Sequence, residues 1–156
     1  MEIIFNLQDA GWADGSVIIE GKEIFNYDVS YLQDVLGSLA SSAVNIINGS
    51  KFERFFWWSE PGEYLWVIQE ENNKLRIKID VYDDWGSELE NGEYQNNSKL
   101  FESFEAVLDK NEFISAVYQC LKSVYEEYGE KGYKDKWIEH DFPMKDFKEI
   151  GVYLKV

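Results

Sequence analysis

Residues 74–82 alternate apolar and polar side chains without a break. Leu75, Ile77, Ile79 and Val81 fall on one side, and Arg76, Lys78, Asp80 and Tyr82 on the other. A period of two describes a strand with one buried face. Such a strand needs neighbours, and the sequence supplies them directly upstream. Lys51–Trp58 reads as a strand. Ser59-Glu60-Pro61-Gly62 reads as a turn, with proline presetting one central position and glycine supplying the positive φ of a type II turn at the next. Glu63–Glu70 is a second strand, and Asn72-Asn73 is a hairpin turn into 74–82. Residues 51–82 are thus expected to form a three-stranded antiparallel meander.

Around this meander the periodicity changes. Met1–Gln8 and Ser16–Glu20 read as an N-terminal hairpin. A helix follows, with Asp28 and Ser30 as N-cap candidates and Ser30 with Gln33 as a capping-box pattern. Leu32, Val35, Leu36, Leu39, Ala43, Ile46 and Ile47 supply its apolar stripe, and Gly49 its end. Lys99–Ala106 reads as one more strand. A second helix starts at Asp109, with Phe113, Val117, Leu121, Val124, Tyr125 and Tyr128 on its apolar face and Gly129 as its stop. Beyond it, 134–140 and 144–150 read as short helices and 152–154 as a returning strand. The order, roughly ββαββββα plus short C-terminal elements, implies an α+β fold. Its sheet is mostly antiparallel, with two main helices packed on one face. With 156 residues, no internal repeat and no linker, the chain reads as a single domain, 1–156.

Composition narrows the function. Thirty acidic residues stand against fifteen basic ones, a net charge of −15. A field of that sign repels nucleic acid and anionic membrane and attracts basic proteins. One cysteine excludes an intramolecular disulfide, and the first residues carry no basic, apolar leader; both point to the cytoplasm. No apolar run is long enough to span a bilayer.

The chemistry inventory is short. His140 is the one histidine and Cys120 the one cysteine, too few for the usual zinc sites. Glu139-His140-Asp141 is a candidate general base or a surface histidine near a helix end, and Cys120 sits beside the apolar stripe of a helix. No phosphate-binding loop and no twelve-residue calcium loop is present. No cofactor, metal site or catalytic residue is therefore expected. The alternatives to a binding protein are an oligomer-forming structural domain and a carboxylate-dependent enzyme using His140.

Two stretches stand out. Between Asp80 and Asn97 there are six carboxylates, Asp80, Asp83, Asp84, Glu88, Glu90 and Glu93, and no basic residue; Trp85 and Tyr94 lie among them. These eight residues are the candidate partner-binding set, with carboxylates steering a basic protein and aromatics anchoring it. The competing reading is a solvated loop whose Trp85 folds back on the core. The second stretch is 52–66, where alternation puts aromatics on both faces of one strand. One face packs on helices. The other needs a cover: the C-terminal segment, a partner, or a second copy in a homodimer.

Asp28-Val29-Ser30-Tyr31-Leu32-x-Asp34-x-Leu36-x-x-Leu39 and Trp58-x-Glu60-Pro61-Gly62-Glu63-Tyr64-x-Trp66 occur in that order. Together they resemble a widespread group of small, acidic bacterial proteins similar to the immunity proteins of polymorphic and contact-dependent toxin systems. The resemblance covers about residues 16–82. It implies a non-catalytic protein that neutralises a cognate toxin domain, often a basic nuclease, and it carries over no catalytic residue.

Overall fold

The computed structural model describes residues 1–156. Its elements are β1 (Glu2–Leu7), β2 (Trp12–Ile19), β3 (Lys22–Ser30), α1 (Val35–Ile47), β4 (Phe52–Trp58), β5 (Glu63–Glu71) and β6 (Lys74–Tyr82). A short pair, β7 (Ser87–Glu88) and β8 (Tyr94–Gln95), precedes β9 (Leu100–Leu108), α2 (Lys110–Trp137) and α3 (Met144–Leu154). The fold is α+β, with every strand pairing antiparallel.

One sheet runs β1-β2-β3 and the other β4-β5-β6-β9. Their inner faces meet through aromatics: Phe25 lies 5.0 Å from Tyr64 and 5.3 Å from Phe104, and Tyr27 lies 5.1 Å from Trp57. The helices close the rest, with α1 on β4, α2 on β1, and α3 against both helices. Trp57, Trp66, Phe113, Leu121 and Trp137 are buried in the resulting single core.

The meander forms as expected. β6 pairs with β5 over its whole length, and Asn72 and Asn73 both take positive φ, the geometry of a two-residue type I′ hairpin. The preceding turn differs. Its positive φ falls on Glu60, the Glu60–Pro61 bond is cis, and Ser59 donates its backbone N–H to Gly62 O at 2.8 Å. Among peptide bonds, those preceding proline have the smallest trans preference.

The first helix starts later than its capping pattern suggests. Residues 22–30 form a third N-terminal strand in which Phe25, Tyr27 and Val29 alternate inward. The Ser30 hydroxyl closes a turn by accepting from the Leu32 N–H rather than capping a helix. Asp34 is the N-cap, accepting the Gly37 N–H at 3.0 Å. At the start of the second helix Asp109 makes no side-chain cap; its carboxylate pairs with Lys74 at 3.2 Å, and Glu112 takes the Met1 amino group at 2.7 Å.

Gly129 bends α2 instead of ending it. Its φ of 62° and ψ of 179° lie in a region open essentially to glycine alone. Beyond the bend the helix resumes and turns Tyr133 and Trp137 into the core. The Trp137 ring meets Phe5 edge-on at 5.6 Å, and the Lys136 carbonyl accepts the Gly11 N–H at 3.0 Å. Residues 152–154, expected as a strand, continue α3, whose Phe147 stacks on Tyr118 at 5.1 Å. No helix is long and apolar enough to cross a membrane.

Candidate functional site

In β4, alternation sends Phe55 and Trp57 inward and leaves Arg54, Phe56 and Trp58 on the outer face. On β5, Glu63, Leu65 and Val67 share that outer face, opposite Trp58, Phe56 and Arg54. The cover over these side chains is the segment 83–97. Rather than a solvated loop, it folds as a hairpin built around β7 and β8, with Trp85 turned back onto Trp58. The C-terminal segment lies elsewhere, against α1 and α2.

The neck of the hairpin is closed by backbone-directed bonds. Asp83 N donates to Lys99 O at 3.1 Å, and the Asp83 carboxylate accepts the Lys99 N–H at 2.9 Å. Asn96 donates to Asp84 O at 2.9 Å. At the tip, Leu89 N donates to Glu93 O at 2.7 Å. Two aromatic stacks hold the hairpin to the sheet: Trp85 on Trp58 at 4.3 Å and 17°, and Tyr94 on Phe56 at 5.6 Å and 25°. Arg54 completes the attachment. It pairs with Glu88 at 3.3 Å, donates to Gly92 O at 3.3 Å, and lies 5.4 Å from the Tyr94 ring centroid.

Beneath the hairpin sits a buried carboxylate. Glu63 is fully enclosed, and its oxygens accept from the Tyr94 hydroxyl, the Gly86 N–H at 3.2 Å and the Asn96 side-chain amide at 3.3 Å. A buried charge is tolerated where its lone pairs are met in this way. Burial, together with the hydrogen bond and charge of Glu63, raises the Tyr94 pKa well above the ordinary phenol value.

The eight candidate residues separate into three groups. Asp80 is buried on β6, between the Ser103 hydroxyl and Lys78 Nζ at 2.8 Å. That hydrogen bond is also the main cause of the raised Lys78 pKa. Asp83 and Tyr94 are half-buried and serve the hairpin's own fold, as do the polar atoms of Asp84. Trp85, Glu88, Glu90 and Glu93 face solvent, Trp85 with 41% of its surface accessible although one ring face is stacked. Glu90 and Glu93 make no ion pair, and Glu88 shares its charge with Arg54. The exposed part of the site is thus an aromatic surface at the neck of the hairpin and a group of carboxylates at its tip. It can attract a cationic surface and offer it a flat apolar contact.

Sequence reasoning missed Glu63, Arg54 and Asn96. The available signal was a charged residue on the outer face of an aromatic strand pair, which requires a partner if that face is covered. The two residue types considered for catalysis lie outside this site. His140 Nε2 is 3.0 Å from Tyr31 O; a carbonyl only accepts, so Nε2 carries the hydrogen of that bond. Cys120 is buried, and burial pushes its thiol up to about 12. No group of three or more His, Cys, Asp or Glu side chains is gathered as a metal site would require. No family model, curated protein or solved structure matches this chain.

Proposed function

We propose that this chain is a non-catalytic binding protein that engages a basic protein partner through the hairpin 83–97. The observation that carries the reading is the exposed Trp85 stacked on Trp58 and the unpaired carboxylates of Glu90 and Glu93 at the tip of the same braced hairpin. The charges of Glu88, Glu90 and Glu93 steer the encounter, and Trp85 gives the contact its apolar centre. The bracing lowers the entropy cost of binding, because the hairpin is ordered before the partner arrives. The overall charge of −15 extends the attraction over the whole molecule. Together with the resemblance noted over residues 16–82, this supports an immunity protein that neutralises a cognate toxin domain, for example a basic nuclease, in the cytoplasm.

The test is to search beside this chain's gene for one that encodes a basic toxin domain, and to measure stopped-flow association with that domain at about 50 and 300 mM salt. The association rate should fall at least tenfold between the two, as expected for steered encounter. The combined change Glu88→Gln, Glu90→Gln and Glu93→Gln should reproduce much of that slowing at low salt, and Trp85→Ala should speed dissociation. Absence of binding, or binding indifferent to salt and to these changes, overturns the reading.

A further inference from the structure

A second surface lies on the other sheet. β1 is its edge strand: it pairs with β2 on one side and with no strand on the other. Apart from its ladder with β2, residues 1–7 make no backbone–backbone hydrogen bond. Along this strand, between it and α2, runs a groove of about 590 Å³. One wall is the consecutive run Met1–Asn6, and the other is one face of α2 from Glu112 to Glu127. Fifteen helical steps are roughly 22 Å long at 1.5 Å each. An extended segment of about six residues has a similar length at 3.3 Å per residue.

The α2 wall is low and polar. Ser115, Ala116, Gln119 and Ser123 line it, so little bulk stands beside the strand edge. No lysine or arginine lines the groove. Its one positive group, the Met1 amino terminus, is already taken by Glu112 at 2.7 Å. Glu2 and Glu127 are exposed and make no ion pair, so the groove carries two uncompensated negative charges, one on each wall. An unpaired strand edge is a template for another strand. Native edges are blunted by proline, lysine, a bulge or a covering helix; β1 has none of the first three, and α2, which packs along it, leaves the groove between them open.

We infer that the groove between β1 and α2 takes an extended, basic peptide segment of a partner protein, which adds to the β1-β2-β3 sheet as a fourth strand. Main-chain hydrogen bonds to β1 supply the affinity, and Glu2 and Glu127 select lysine or arginine side chains. This goes beyond the reading given to the hairpin and does not require it, because the two surfaces share no residue.

The probes are three synthetic octapeptides: alternating lysine–valine, alternating glutamate–valine, and the lysine–valine peptide N-methylated along one edge. The lysine–valine peptide should bind and slow amide exchange in β1, and the glutamate–valine peptide should not. N-methylation should weaken binding at least tenfold. So should Gln119→Trp, which fills the groove from an exposed position, and Glu2→Lys with Glu127→Lys. The combined change Glu88→Gln, Glu90→Gln and Glu93→Gln should leave peptide binding unchanged, which separates this surface from the hairpin. No binding, binding indifferent to N-methylation or to Gln119→Trp, or protection appearing on 83–97 instead of β1 each overturns the inference.

Discussion

Tyr94 donates its hydroxyl hydrogen to Glu63, 31 residues earlier in the chain, and so ties the tip-side strand of the hairpin to the start of β5. The bond matters because Glu63 is fully enclosed and cannot turn to water for a replacement donor. Tyr94→Phe should therefore cost about 2 kcal/mol, the range for a hydrogen bond to a buried charge. Urea denaturation measures the loss, and limited proteolysis should show earlier cleavage within 86–93. Adding Glu63→Gln to Tyr94→Phe should recover part of it, since the carboxylate charge is then gone as well.

Gly15 is required by close approach. In the β1–β2 ladder it faces Phe5, and in the β2–β3 ladder it faces Tyr27, whose hydroxyl passes over it to the Ile4 carbonyl. A methyl group at position 15 would meet both the Ile4 oxygen and the Tyr27 hydroxyl. Gly15→Ala should destabilise the protein by about 2–3 kcal/mol, as overpacking does. Tyr27→Phe should not fully rescue it, because the carbonyl contact remains. Thermal unfolding of the single and double variants checks both statements.

At the start of α1, Asp34 and not Ser30 caps the helix. Asp34→Ala should lower stability by about 1 kcal/mol through loss of the Gly37 N–H acceptor. Asp34→Asn should keep most of it, since an amide oxygen accepts the same bond. Chemical denaturation of the two variants distinguishes capping from a charge effect.

Burial raises the pKa of Cys120 to about 12 and raises those of Tyr27, Tyr64 and Tyr133 above the usual phenol value. The folded state holds these protons where the unfolded chain releases them, at about 8.5 for cysteine and about 10 for tyrosine. Their contribution is complete below those values and is lost as pH rises toward the folded ones. Stability should fall above pH ~8.5 and more steeply above ~10. Denaturation midpoints between pH 8 and 11 test this, and tyrosinate absorbance should rise together with unfolding. By the same burial, Cys120 should resist thiol reagents at pH 8 until urea unfolds the chain.

Much of the fold could be read locally. The alternation of 74–82 predicts β6 to the residue, and Asn72-Asn73 names the hairpin that sets its register. Where two local signals competed, the reading went wrong. Asp28 and Ser30 are good capping residues, but Phe25, Tyr27 and Val29 alternate between Asn26 and Asp28, and burying that row against Trp57 and Tyr64 decides for strand. Gly129 is a fair helix stop by residue type. Only the need to bury Tyr133 and Trp137 makes it a bend. The hairpin site was half legible. Its acidity and aromatics are visible in 80–97, but the bonds that fold it onto β4 and β5 join residues 23 to 38 positions apart, and no local pattern encodes them.

The bend at Gly129 has a consequence for how the protein is made. Ile3, Phe5 and Leu7 leave the ribosome well ahead of α2, yet Phe5 packs on Trp137, and the Gly11 amide waits for the Lys136 carbonyl. Neither partner exists until residues 136 and 137 have been translated. Synthesis and stabilisation therefore run in opposite directions, and the β1-β2-β3 sheet is completed by a helical segment that emerges long after it. A nascent chain halted before residue 137 should expose the apolar inner face of β1, which is the condition chaperones recognise.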